Sequence, residues 1–108
     1  MNCKYLTIDC ASLSERELHA VFKEKLGFPD FYGKNWDALI DCLSYMRYPE
    51  AGMSEVTLGE DGVLVIECKG LSEARFDVQD FLGVVEAVND RELLHGKTTQ
   101  ILLNLIKS

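Results

Sequence analysis

Phe28-Pro29-Asp30-Phe31-Tyr32-Gly33-Lys34-Asn35-Trp36-Asp37-Ala38-Leu39-Ile40-Asp41-Cys42-Leu43 reads as a turn, an aromatic pair and then a helix. Pro29 forbids continuation of any helix that precedes it. Asn35 has a side-chain oxygen that can accept from the free amides of a first turn, which makes it the expected cap. From there to Met46 the apolar positions recur with helical spacing. Trp36, Leu39, Leu43 and Met46 share one stripe, while Asp37, Asp41, Ser44 and Tyr45 share the other side, with Ile40 at the border. Two carboxylates on a rigid element beside aromatic surface suit a basic partner better than chemistry of their own.

Outward from this stretch, strands and helices alternate. Cys3-Lys4-Tyr5-Leu6-Thr7-Ile8 has the β-branched and aromatic content of a strand. Ser14 with Glu17 three residues on is a capping-box signature, and Leu18, Val21, Phe22 and Leu26 continue at helical spacing to an end at Gly27. Beyond Tyr48-Pro49 the chain reads as a loop, in which Val56-Thr57-Leu58 is either a short edge strand or a loop segment. Val63 to Cys68 is the strongest strand, a continuous apolar run of the kind covered on both faces. A third helix is expected over 78–90, anchored by Phe81, Leu82, Val85 and Val88, with Asp77 or Asp80 in its first turn. Residues 91–96 read as a turn and 99–106 as the last strand. This alternation predicts an α/β domain with parallel pairing, one domain over residues 1–108.

The charge balance narrows the partner. Lys and Arg number 11 against 18 Asp and Glu, a net charge of -7. Such a chain repels nucleic acid and anionic lipid and favours cationic partners. Charge alone is equally served by solubility. Cys3, Cys10, Cys42 and Cys68 are scattered, with no Cys-x-x-Cys pair and no signal-peptide pattern ahead of them. That usage predicts buried, reduced thiols in a cytoplasmic protein, although spacing does not decide against a disulfide. His19 and His95 lie far from any cysteine, so no metal site is expected. No apolar run approaches bilayer length. There is no phosphate-binding glycine loop, and helical neighbours on a convex face lack the cleft that carboxylate catalysis needs, so no catalytic residue is assigned.

Asp37 and Asp41 stand four residues apart and share a helix face. An ordinary helix would present such a pair as solvated surface. Of Phe31 and Tyr32, one is expected in the core and one as an interface anchor. Gly33 is expected to serve a turn with positive φ. Trp36 and Cys42 read as core residues.

The run at 29–43 closely resembles the signature of the barstar family of intracellular ribonuclease inhibitors. That pattern is Pro-Glu-Tyr-Tyr-Gly-x-Asn-Leu-Asp-Ala-Leu-x-Asp-Cys-Leu. Tyr32, Gly33, Asn35, Asp37, Ala38, Leu39, Asp41, Cys42 and Leu43 coincide with it. The resemblance implies a three-stranded parallel sheet flanked by helices. It also implies an inhibitor, not an enzyme, whose acidic helix and preceding loop occlude the basic active site of a guanyl-type ribonuclease or toxin nuclease. Asp41 would take the place of a substrate phosphate, and Asp37 would be a second interface carboxylate. Glu86 resembles the acidic contact on the later helix, with Asp90 one turn beyond. The implied partner-binding set is Phe31, Asp37, Ile40, Asp41, Ser44, Tyr45, Met46 and Glu86. No cofactor is implied. The expected setting is the bacterial cytoplasm, as an immunity protein that is monomeric when free.

Departures from the pattern concern the partner. Phe31 replaces a tyrosine, Ile40 a tryptophan, Met46 an expected aromatic, and Lys34 inverts an acidic position. Residues 50–61 read as an insertion. These differences keep a second reading open, a barstar-fold regulatory module whose partner is not a ribonuclease.

Overall fold

A computed structural model describes residues 2–107. Three strands, β1 (Cys3–Asp9), β2 (Val63–Lys69) and β3 (Ile101–Ile106), form one parallel sheet in the order β1-β2-β3. Leu6 pairs with Ile66, and Ile66 with Leu103. Three helices make the connections: α1 (Glu15–Leu26), α2 (Trp36–Ser44) and α3 (Val78–Leu94). The α/β architecture with an all-parallel sheet follows the expected one.

The local signals explain the element ends. Ser14 Oγ accepts from the Glu17 amide while the Glu17 carboxylate accepts from the Ser14 amide, closing the capping box. Gly27 ends α1 at φ 68°, and a Cβ there would lie 2.5 Å from Glu55 Cβ, so both conformation and space call for glycine. Asn35 Oδ1 accepts from the Ala38 amide at 2.8 Å and starts α2. Asp77, not Asp80, caps α3.

One sheet face is buried under the helices through Leu6, Ile8, Leu64, Ile66, Cys68 and Ile101. The other face carries exposed Tyr5 and Leu102 beside half-buried Val65. The expectation that β2 is covered on both faces is therefore corrected. Its apolar run Val63–Ile66, ended by Glu67, belongs to a central strand that is shielded laterally by both neighbours. Residues 56–58 form no strand. They are held as a docked loop, because Leu58 is buried and its amide donates to the Met46 carbonyl at 2.7 Å. In α3, Leu82 is exposed and Val84 takes the buried position.

The largest departure is the C-terminal end of α3, which continues through Arg91–Leu94 where a turn was expected. A buried polar network holds that last turn. Arg47, in a 3-10 turn over Tyr45–Arg47 that prolongs α2, donates to Glu92 Oε1 at 3.1 Å and to the carbonyls of Gly62, Thr98 and Thr99 at 2.9 Å each. The Tyr48 hydroxyl donates to Glu92 Oε2 at 2.9 Å. The side chains of Arg47 and Glu92 are 1% and 5% exposed, so this is a desolvated ion pair whose spare donors are met by backbone oxygens. Glu92 follows Val88 by four residues and so falls on the buried stripe of α3. Its burial depends on an arginine 45 positions away.

His19 is fully buried on α1, against Tyr32 and Trp36. The Tyr32 hydroxyl, kept protonated by burial, shares a hydrogen bond with His19 Nδ1. Nε2 faces Glu15 Oε2 at 3.4 Å, with Lys34 nearby. Burial pulls His19 below its ordinary value of 6.5, against the opposing pull of Glu15. The unfolded chain takes up a proton near 6.5 while the folded chain resists it, so stability falls as pH drops below about 6.5. Glu17, also depressed, acts only below its ordinary 4.5. Urea unfolding between pH 7.5 and 5 should therefore show a loss of stability that His19→Gln abolishes. An unchanged pH slope in that variant would contradict the assignment.

Candidate protein-binding face

The segment 28–35 descends into the core and returns to the surface. Phe28 and Tyr32 are buried and packed edge to face at 5.0 Å, whereas Phe31 between them is 75% exposed. Of the aromatic pair, Tyr32 is thus the core residue. Gly33 does not take the positive φ expected of it. Lys34 does, at φ 51°, while a Cβ on Gly33 would press on Asn35 Nδ2 at 3.1 Å.

On α2 the apolar stripe is buried through Leu39, Cys42 and Leu43, with Trp36 half-buried against it. Burial pushes the Cys42 thiol up to about 11, which keeps it protonated and inert. Asp37 and Asp41 are exposed on the other side. Among the described residues Asp37 enters no ion pair, whereas Asp41 Oδ1 lies 3.3 Å from Arg91 Nη1. Ile40 is half-buried and Tyr45 is 44% exposed, so both remain at the rim of this face.

Three residues of the expected binding set lie elsewhere. Met46 is fully buried, in line with its place on the apolar stripe, and its side chain is not at the surface. Ser44 is buried, its hydroxyl donating to the Ile40 carbonyl at 2.6 Å and accepting from Arg91 at 3.2 Å. Glu86 is exposed, yet it stands five residues before Arg91, roughly 140° round α3 from the side that meets α2. Asp37, Ile40, Asp41 and Tyr45 lie on the side of α2 turned away from its apolar stripe, Phe31 is exposed on the loop that precedes α2, and Glu86 is exposed on a different side of α3.

Arg91 is the residue that sequence reasoning missed. It became a facing residue because α3 extends one turn further than its apolar pattern announces. A cavity of about 170 Å³ lies beside it, lined by Ser44, Tyr45, Tyr48, Val88, Arg91, Glu92 and His95. A larger cleft of about 440 Å³ at the carboxyl ends of β2 and β3 shares none of these residues. All four cysteines are free. Among the described residues no cluster of His, Cys, Asp or Glu could hold a metal ion. Among them, too, no helix is long and apolar enough to cross a membrane. The arrangement offers fixed negative charge, exposed aromatic area and no nucleophile–base pair. Chemically it can bind a cationic surface.

Comparison with known proteins agrees. The chain is 63% identical over 27 residues to the protein named "Putative ribonuclease inhibitor YrdF" of Bacillus subtilis (strain 168). That match takes in 25% of this chain, and the chain spans only about 30% of that relative's length. The sequence profile of the family described as "Barstar (barnase inhibitor)" matches residues 3–104. With its parallel sheet, its asparagine-capped acidic helix and a profile match over nearly its whole length, the chain belongs to the barstar family.

Proposed function

We propose that this chain inhibits a ribonuclease of the guanyl type, or a toxin nuclease, by laying α2 and the loop before it over the enzyme's basic active site. The observation that carries the reading is the exposed pair Asp37 and Asp41 on a rigid helix, with Phe31 exposed on the loop that leads into it. The carboxylates steer the approach to a cationic cleft and then accept charge-assisted bonds from its arginines and lysines as water leaves. Phe31 supplies rigid apolar area at low entropic cost. Ile40 and Tyr45 complete the rim. Ser44 and Met46 act from beneath, one by fixing the end of α2 and the other by packing under it. The free thiols and the absence of a charge attraction to nucleic acid or anionic lipid fit a monomer working in the reducing cytoplasm of a bacterium, protecting the cell that carries the nuclease.

The test is a titration of RNA cleavage by a purified guanyl-type ribonuclease. Cleavage should fall linearly to zero at one equivalent of this chain, with an association rate that drops as salt is raised. Unchanged cleavage at a large excess would instead favour a regulatory module with a different partner.

A further inference from the structure

Arg91 belongs to α3, but its guanidinium reaches across to α2. Nη1 lies 3.3 Å from Asp41 Oδ1 and 3.2 Å from Ser44 Oγ. Ser44 gives its own proton to the Ile40 carbonyl, so its oxygen is held ready as an acceptor for Arg91. The cation is therefore aimed at Asp41 from two points. The bond itself is weak: both side chains are about half exposed, at 49% and 54%, and the single contact is longer than a strong charge-assisted bond.

A partner changes that balance. When a basic site covers α2, water leaves and its cations converge on the carboxylate that Arg91 already occupies. Like charges brought together at close range repel strongly and exclude poorly matched partners. Arg91 must then yield, and the cavity beside it, between Tyr45, Tyr48, Val88 and His95, gives its side chain room to move. We propose, on the reading that α2 is the inhibitory face, that Arg91 is a selectivity residue. It discounts the charge of Asp41, so that diffuse cationic surfaces bind poorly. Only a partner whose own cation displaces Arg91 gains full use of the carboxylate.

Arg91→Gln removes the charge and retains a donor for Ser44. Arg91→Lys keeps the charge. Both variants and the natural chain are compared against a purified guanyl-type ribonuclease, by association rate and inhibition constant, at low and at high ionic strength. Arg91→Gln is expected to inhibit roughly fivefold more tightly at low salt. The gain should lie mainly in the association rate and shrink towards about 1 M salt, where charges are screened. Arg91→Lys should behave as the natural chain does. Equal or weaker inhibition by Arg91→Gln, with the natural chain still inhibiting, overturns the selectivity role and leaves the inhibitory reading intact. Absence of inhibition by all three folded proteins overturns both.

Discussion

Asp41→Ala should weaken the complex with the target ribonuclease about a hundredfold or more while leaving the fold nearly as stable. The two halves of this expectation have separate causes. In the free protein Asp41 is 54% exposed and joined to Arg91 by one contact, so its removal costs at most about 1 kcal/mol. In the proposed complex the same carboxylate would be desolvated against cations. Deleting one partner of a buried pair leaves the other charge uncompensated, at a cost of about 3–5 kcal/mol, and each 1.4 kcal/mol is tenfold in affinity. Inhibition constants and urea midpoints for the same preparations separate the two effects. A large loss of stability, or a change in affinity below about tenfold, would contradict the assignment.

The second large effect is on stability alone. Arg47→Met should destabilise the fold by about 3–5 kcal/mol, measured by urea unfolding. The replacement is similar in bulk, so cavity formation contributes little. What remains is Glu92, 5% exposed, with only Tyr48 and the nearby Lys97 for company, and three backbone carbonyls without their donor. The loss is a large fraction of the stability of a domain of this size. Replacing both charges, as Arg47→Met with Glu92→Leu, should recover much of it, because a buried pair owes little of its worth to net attraction. A single variant within about 1 kcal/mol of the natural chain would show that the network is ornamental.

The fold was legible where local chemistry decides it. Asn35, Ser14 and Gly27 each act as the caps their side chains or φ preferences indicate, and the alternation of strands and helices required parallel pairing. Legibility ended where distant residues decide. Arg91 to Leu94 are good helix formers, but a charged Glu92 interrupts the apolar pattern there, and its burial depends on Arg47 and Tyr48 from across the core. The misplaced end of α3 also hid Arg91, whose partner lies 50 positions earlier. Met46 teaches a different point. Its own periodicity placed it on the buried stripe of α2, and only the family resemblance assigned it to the surface. For Glu86, too, the resemblance matched residue type without fixing the helix face. The signal for the open sheet face was present in Glu67, a charge that interrupts the apolar run of β2.

The central claim is that the α2 carboxylates occupy the place of a substrate phosphate. Its most direct test is competition by a mononucleotide that binds the active site of a ribonuclease inhibited by this chain. The account predicts that the apparent affinity falls in proportion to nucleotide occupancy, approaching no detectable complex at saturation. A complex that forms with undiminished affinity on the nucleotide-saturated enzyme would contradict it.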